Sequence, residues 1–196
     1  MKYLTVYAGV NGAGKTTMYR MNKTKSEEGR INSDEILREF GGDWKKDSDQ
    51  FRAGKIALQR KEEYLQKGIS YSQETTLATR YIIKDAIKAR ELGYITEMHY
   101  VSVESADIAI ERVKNRVKDG GHGIPDDLVR RRYEKSLNNL KLAIESFNTV
   151  YIYDNTELFK HCATYLNGEL IHSILDLPKW FKDVLNKLDI NPQGII

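Results

Sequence analysis

The sequence contains little cysteine and no long apolar run. A single cysteine among 196 residues, Cys162, excludes an intramolecular disulfide and a cysteine-rich zinc site. No apolar stretch approaches the roughly 20 residues that a membrane-spanning helix needs. No repeat, low-complexity tract or linker marks a second domain. These absences suit a reducing compartment, and we expect a cytoplasmic protein with no membrane partner.

An excess of one charge is also missing. Lys and Arg number 31 and Asp and Glu number 28, which gives a net charge of +3. So small an excess does not by itself indicate binding to nucleic acid or to a membrane surface. Apolar residues make up 40% of the chain, enough for a buried core. We therefore predict one domain over residues 1–196, with a core over about 1–157 and an appendage over about 158–196.

Short β-rich runs alternate with longer helical patterns. The predicted strands are residues 4–8, a weak one near 30–31, then 69–74, 94–103 and 149–153. Apolar residues recur at helical spacing between them, as in Phe51, Leu58 and Leu65 and in a stripe from Val129 to Phe147. The alternation predicts βαβ units, and hence an α/β fold with a largely parallel sheet flanked by helices.

The end of the chain and one internal segment have different patterns. Asn167-Gly168 lies between apolar runs and predicts a β-hairpin. Pro178 begins a predicted terminal helix. Residues 120–123, Gly-Gly-His-Gly, separate two helical patterns and are compatible with either a hinge or a simple turn.

The first predicted strand leads into a phosphate-binding loop. Residues 9–16, Gly-Val-Asn-Gly-Ala-Gly-Lys-Thr, match G-x-x-x-x-G-K-[ST] at every fixed position. Its glycines let backbone N–H groups point at phosphate oxygens, Lys15 supplies a positive charge and the Thr16 hydroxyl a ligand for Mg²⁺. The motif predicts binding of a nucleoside triphosphate with Mg²⁺. The candidate nucleotide-binding residues are Gly9, Asn11, Gly12, Ala13, Gly14, Lys15, Thr16 and Thr17.

Two classes of P-loop protein lack support in the sequence. GTPases usually recognise the base with Asn-Lys-x-Asp, whereas residues 22–25 read Asn-Lys-Thr-Lys and lie too early in the chain. No Leu-Ser-Gly-Gly signature of ABC ATPases occurs. A small P-loop protein without either motif is most often a kinase for a small molecule.

A phosphotransferase needs carboxylates near the metal and the acceptor hydroxyl. Asp34 follows the weak strand and Glu74 ends a stronger one, and ligands in parallel α/β folds lie at the carboxyl ends of strands. Residues 32–35 also fit a helix N-cap, so capping and catalysis are equally compatible with Asp34. We interpret Glu35 as first-turn charge only. Asp154 comes late in the chain, which favours a structural or nucleotide-adjacent role.

Two arginine-rich helices follow. Arg112 and Arg116 share a helix face, which is either a solvated surface or a lid that closes on the transferring phosphoryl group. The glycine segment at 120–123 favours the lid. Residues 130–132 are three consecutive arginines that point in different directions, so at most one or two can face a ligand. His122 is a candidate site residue, while the other three histidines are predicted to be structural.

In order, these segments resemble the zeta toxin family of P-loop kinases over about residues 1–157. The resemblance rests on residues 9–17, 31–34, 74–76, 110–113, 116–117, 120–122, 125, 131–136 and 153–155. It implies a fold like that of nucleotide and shikimate kinases, with a five-stranded parallel sheet and a helical lid. It also implies ATP-dependent phosphorylation of a hydroxyl on a UDP-activated amino sugar, and an antitoxin partner.

The resemblance also implies roles for individual residues. Asp34 takes the position of the base that activates the acceptor hydroxyl, and Arg112 that of a transition-state arginine. A second such arginine is Arg116 or one of residues 130–132. Acceptor contacts are implied for Glu74 and Thr76, and we add Arg132 as an acceptor-binding candidate. Residues 77–80 depart from the longer toxins, which carry glycine and arginine there, so the acceptor pocket can differ.

Two rival functions stay open at this point. One is a polynucleotide kinase or another nucleic-acid-directed P-loop kinase, which the small net charge disfavours. The other is a non-catalytic ATP-binding module of a toxin–antitoxin-type complex.

Overall fold

The computed structural model describes residues 1–22 and 28–187. Its strands are β1 (Lys2–Gly9), β2 (Gly29–Ile31), β3 (Tyr71–Thr75), β4 (Tyr94–Ser102), β5 (Thr149–Asp154), β6 (Lys160–Leu166) and β7 (Glu169–Ser173). Its helices are α1 (Lys15–Asn22), α2 (Ser33–Glu39), α3 (Asp47–Lys67), α4 (Tyr81–Glu91), α5 (Ala106–Lys118), α6 (Asp126–Ser146) and α7 (Lys179–Lys187). Residues 188–196 of the predicted appendage, and 23–25 of the rejected GTPase motif, lie outside the described residues. The predicted α/β fold, with helices around a sheet, is confirmed.

The seven strands form one sheet in the order β2-β3-β1-β4-β5-β6-β7. The first five are parallel to their neighbours, as the predicted βαβ units require. β6 and β7 continue the sheet in antiparallel pairing. The expectation of a five-stranded sheet was therefore incomplete, because the hairpin pairs with the free edge of β5. Its turn residues Asn167 and Gly168 have φ of 49° and 86°, as a two-residue hairpin loop of type I′ requires.

The last described helix packs into the main core. Trp180 and Phe181 of α7 are 3% and 0% exposed and belong to the same apolar cluster as Leu4 of β1 and Ile144 of α6. A second cluster contains Tyr7, Met18 of α1 and Val113 of α5 and supports the phosphate-loop region. The hairpin and α7 are thus built into the same sheet and core as the preceding residues.

The helix predicted from Phe51, Leu58 and Leu65 is present as α3, but this series does not form a buried stripe. Phe51 and Leu58 of α3 are 78% and 56% exposed, and only Leu65 of that series is buried. The C-terminal part of α3 packs near β2, where Tyr64 lies against Gly29, whereas Leu58 faces the cleft described below. The stripe of α6 is buried as predicted, with only Leu137 partly exposed. Throughout the described ranges, helices fall short of the length and apolarity needed to cross a bilayer.

Candidate functional site

The phosphate loop, residues 9–16, connects β1, which lies between β3 and β4 in the sheet, to α1. Gly9 has φ of 136°, and a Cβ there would lie 1.9 Å from the Val101 carbonyl oxygen. Gly12 has φ of 76°, and its Cβ would lie 2.6 Å from the Ala109 carbonyl oxygen. Any side chain at either position would collide with backbone, so the loop can follow this path only with glycine.

A cleft of about 910 Å³ opens beside this loop, at the carboxyl ends of β1 and β3. It brings together most of the predicted site residues: Asn11, Gly12, Gly14, Lys15, Thr16, Thr17, Asp34, Glu74, Thr76, Arg112, Arg116 and Arg132. Gly9 and Ala13 belong to the loop but lie beneath its surface, and both are buried. Residues far apart in the sequence therefore face one space.

Lys15 is the most strongly perturbed charged group of this cleft. Its Nζ donates a hydrogen bond to the Val10 carbonyl oxygen at 3.0 Å. Burial lowers the pKa of Lys15 to about 8, although the nearby Glu74 carboxylate opposes the shift and Arg116 adds to it. Burial destabilises the charged ammonium of Lys15, and the negative charge of a bound phosphate would stabilise it again. The site therefore favours binding of a polyanion.

Glu74 connects the phosphate loop to the edge of the sheet. Its Oε2 accepts a hydrogen bond from Thr16 Oγ1 at 3.1 Å, and its Oε1 accepts one from Arg30 Nη2. The guanidinium of Arg30 also makes two hydrogen bonds to Glu35, of 2.8 and 2.9 Å, and stacks on Tyr19 at 3.3 Å. Glu74, implied above to contact the acceptor, is here engaged with the predicted metal ligand.

Arg30 was missed by the sequence analysis, and the interpretation of Glu35 as first-turn charge only was wrong. Glu35 does lie in the first turn of α2, but its carboxylate accepts two hydrogen bonds from one edge of the Arg30 guanidinium, through Nε and Nη2. Burial lowers the pKa of Arg30, but the hydrogen bonds to Glu35 and Glu74 outweigh it and raise that pKa overall. A charged residue inside a short buried strand was the one signal that could have drawn attention to Arg30.

Asp34 is free of the capping role that the sequence left open for residues 32–35. Asn32 is the N-cap of α2, and its Oδ1 accepts from the backbone N–H groups of Asp34 and Glu35 at 2.9 and 3.3 Å. The Asp34 carboxylate therefore faces the cleft. There it lies near enough to Lys15, His122 and Arg132 to influence the pKa of each.

The three consecutive arginines separate as their spacing predicts. Arg130 pairs with Asp107, and Arg131 pairs with Asp127 at 2.9 Å, both on the exposed surface. Arg132 alone turns into the cleft. Burial lowers the pKa of Arg132, against the stabilising effect of Asp34.

Arg112 and Arg116 reach the cleft from α5 and are both anchored to carbonyl oxygens. Arg112 Nη2 donates to Thr156 at 2.8 Å, and Arg116 Nε donates to His122 at 2.9 Å. The two guanidinium groups are thereby oriented at the mouth, where a lid would meet a phosphate. Whether they serve transfer stays a prediction.

A ring contact joins the glycine segment beside the cleft to the α2–α3 connection. The His122 ring, in the glycine segment between α5 and α6, lies 4.9 Å from the Trp44 ring in the α2–α3 connection. Burial lowers the pKa of His122, with Asp34 opposing. The other histidines lie away from the cleft: His99 stacks between Tyr7 and Tyr151, and His161 stacks on His172, as expected of structural residues.

Asp154 has a structural role next to the nucleotide site. Its Oδ1 accepts from Thr156 Oγ1 at 2.7 Å and from Trp180 Nε1 at 2.8 Å. This fixes the turn after β5, in which Asn155 Nδ2 donates to the Ala13 carbonyl oxygen at 2.8 Å. The turn therefore supports the phosphate loop from the side.

The far end of the cleft contains a second group of residues that sequence reasoning did not identify. Lys61 Nζ lies 2.8 Å from both carboxylate oxygens of Asp85, and both side chains are largely buried. Leu58, Tyr81 and Ile82 line the same end. No motif signals these residues, because they belong to two helices that meet only in the fold.

The cleft suits a metal that arrives with a nucleotide. Across residues 1–22 and 28–187, no three His, Cys, Asp or Glu side chains are grouped to hold an ion. Thr16 and Glu74 offer hard oxygen atoms, which Mg²⁺ accepts when phosphate oxygens complete its shell. The donor set therefore fits Mg²⁺ bound together with a triphosphate.

Comparison with known families and proteins gives a consistent result. A family model described as an AAA domain matches residues 4–142. An uncharacterized protein of Haemophilus influenzae is 32% identical over 127 residues, which cover 65% of this chain and 89% of that protein.

Solved structures share the fold at low sequence identity. The AvrRxo1-ORF1:-ORF2 complex with ATP superposes with a TM-score of 0.69 at 17% identity, over 100% of this chain and 65% of that one. The chain thus spans less than two thirds of that neighbour. The PezAT toxin–antitoxin system of Streptococcus pneumoniae gives a TM-score of 0.55 at 17% identity, over 96% of this chain and 83% of that one. These similarities establish a P-loop kinase-like fold.

Proposed function

The chain belongs to the AAA domain family, and from this premise we propose that it is an ATP-dependent phosphotransferase acting on a hydroxyl group of a small acceptor. The observation that carries the proposal is the convergence of Lys15, Asp34 and Arg132 on one cleft. Such a cleft supplies what phosphoryl transfer needs: a phosphate cradle, a carboxylate for the acceptor and positive charge between them.

At the nucleotide end, the loop backbone and Lys15 bind the β- and γ-phosphates, and Thr16 is the protein ligand of Mg²⁺. Mg²⁺, when bound with ATP, neutralises phosphate charge. Arg112, Arg116 and Arg132 orient the γ-phosphoryl group and stabilise the charge on its oxygens during transfer.

At the acceptor end, Asp34 accepts the proton of the attacking hydroxyl. The hydroxyl oxygen forms a bond to the γ-phosphorus while the bond from that phosphorus to the β,γ-bridging oxygen breaks. ADP leaves, and the phosphorylated acceptor carries the transferred group. The cleft places these groups side by side. The entropy cost of bringing the reactants together is therefore met when the substrates bind and does not add to the barrier of the transfer step.

The shape of the far end favours an acceptor with a flat ring and neutral polar groups. Lys61 and Asp85 compensate each other, so together they present donors and acceptors without net charge. Leu58, Tyr81 and Ile82 add an apolar wall. The uracil ring and sugar hydroxyls of a UDP-activated amino sugar have these features, and its charged diphosphate would need the cationic side chains of the cleft. Such a sugar is the first acceptor to test. The fold shared with PezAT supports a further proposal, that an antitoxin-type protein binds this chain. A cytoplasmic location also stays a prediction.

A nucleic-acid acceptor is less well supported. Arg130 and Arg131 form ion pairs with Asp107 and Asp127. The three consecutive arginines therefore do not form a continuous positively charged surface.

The test is phosphoryl transfer from ATP labelled on the γ-phosphate to a panel of UDP-sugars, other small alcohols and oligonucleotides. We expect a phosphorylated sugar with the wild type and a loss of roughly 10²- to 10⁴-fold in rate with Asp34→Asn. Asp47→Asn is the matched control, because Asp47 is an exposed first-turn acid of α3. ATP binding without transfer to any acceptor would favour the non-catalytic module instead.

A further inference from the structure

Arg30 lies outside the cleft lining, yet it contacts the residue that touches the predicted metal ligand. The chain of contacts runs from Glu35 through Arg30 and Glu74 to Thr16, and both carboxylates accept a hydrogen bond from Nη2 of the guanidinium. The Arg30 and Glu74 side chains are 15% and 10% exposed. Surface ion pairs rarely fix geometry, but here Arg30 combines a two-bond contact with Glu35 and a buried bond to Glu74, which together restrict its side chain.

The face of the guanidinium is also fixed. Its Cζ lies 3.3 Å from the centre of the Tyr19 ring in α1, and Tyr19 in turn packs edge-on against Tyr7 of β1. Glu35 holds one edge through Nε and Nη2, while Nη2 also reaches Glu74. Tyr19, Glu35 and Glu74 therefore hold the face of Arg30 and its Nε–Nη2 edge, while Nη1 is buried without a hydrogen-bond partner.

We propose that Arg30 is a positioning residue that aims the Glu74 carboxylate at the Thr16 hydroxyl and so prepares Thr16 to bind the metal of Mg·ATP. The hydroxyl has one proton and two lone pairs. With Oε2 of Glu74 as acceptor, the proton points to Glu74 and the lone pairs of Thr16 are free for a cation. Groups that orient a metal ligand in this way commonly contribute 10- to 100-fold to metal affinity.

The inference rests on the proposed function only in taking Thr16 as the ligand of nucleotide-bound Mg²⁺. Its test is the affinity for ATP, measured without acceptor, in saturating Mg²⁺ and in EDTA. We define the ratio as the dissociation constant for ATP in EDTA divided by that in saturating Mg²⁺. A larger ratio means that metal and nucleotide assist each other's binding more strongly. No phosphoryl transfer enters this measurement.

We expect Arg30→Met to lower this ratio by about 10-fold or more, mainly through weaker binding in Mg²⁺. If Arg30 served only as a counter-charge to Glu74, the ratio would rise in Arg30→Met. Glu74 without its partner would then attract a cation more strongly. The matched control is Arg60→Met, since Arg60 also pairs with a glutamate, Glu39, but outside the cleft. Its ratio should equal that of the wild type.

Two gentler variants keep the proposal testable if Arg30→Met does not fold. Arg30→Lys retains the positive charge but loses the planar guanidinium with its several donors. Glu35→Gln retains Arg30 but weakens the contact between Arg30 and residue 35. Both should reduce the ratio, Arg30→Lys more than Glu35→Gln. An unchanged ratio in folded Arg30→Lys, or a raised ratio in Arg30→Met, would overturn the positioning role. Normal metal dependence with no transfer to any acceptor would instead overturn the proposed function alone.

Discussion

Asn155 Nδ2 donates a hydrogen bond of 2.8 Å to the carbonyl oxygen of Ala13, so the turn after β5 supports the phosphate loop. The same side chain sets the space beside Gly14, where a Cβ would lie 2.7 Å from Nδ2. The loop therefore depends on a residue that is more than a hundred positions away in the sequence.

We expect Asn155→Ala to weaken ATP binding. Loss of one hydrogen bond of this type costs about 0.5–1.5 kcal/mol, or roughly 3- to 10-fold in the dissociation constant. Equilibrium binding of ATP measures the effect. Asn138→Ala, at an exposed position of α6, is the control and should bind like the wild type. Equal affinity of the two variants would show that the turn does not support the loop.

The lowered pKa of Lys15 predicts that ATP binding is linked to proton uptake. With a pKa of about 8, the free protein loses the Lys15 charge as the pH rises above that value. Bound triphosphate favours the charged form, so affinity falls above pH 8 and each binding event at pH 9 takes up about 0.9 proton. Calorimetry in two buffers of different ionisation enthalpy measures this number.

Uptake should be close to zero at pH 6.5, about 1.5 units below the pKa of Lys15, because the free ammonium is already protonated there. Lys15→Met removes the titrating group and should abolish the uptake at pH 9. Uptake that persists in this variant would assign the proton to another group.

The contact between His122 and Trp44 predicts a latch that holds residues 120–123 against the α2–α3 connection. Trp44→Ala removes the ring on which His122 rests and should increase amide exchange in residues 120–123. His122→Phe retains an aromatic partner and should leave this exchange low. Hydrogen–deuterium exchange read by mass spectrometry compares them. Equal protection in Trp44→Ala and the wild type would argue against the latch.

Trp180 predicts that the end of the chain contributes to global stability. It is 3% exposed and donates a hydrogen bond to Asp154, so Trp180→Ala should reduce the free energy of unfolding by about 3–5 kcal/mol. Leu175→Ala, at a fully exposed apolar residue, should change it by less than about 0.5 kcal/mol. Urea denaturation gives both values. A small loss in Trp180→Ala would mean that α7 is only loosely attached.

Local signals in the sequence account for much of the fold. The phosphate loop is recognisable in residues 9–16 because its backbone path requires glycine at fixed positions, and those glycines appear directly in the sequence. The Asn167-Gly168 turn and the α6 stripe are equally local, since both depend on neighbours within a few residues. The α/β class and the parallel direction of β1 to β5 follow from such patterns together with the rules of strand connection.

Only the tertiary structure decided which side chains act together. Thr16 and Glu74 are 58 positions apart and Arg30 and Glu74 are 44 apart, so no spacing rule relates them. The same holds for Lys61 and Asp85 on two different helices. The 78% exposure of Phe51 likewise depends on how α3 packs in the fold and not on its sequence spacing. Periodicity specifies an element, but contacts between elements depend on how their surfaces pack, and that packing assembled this cleft.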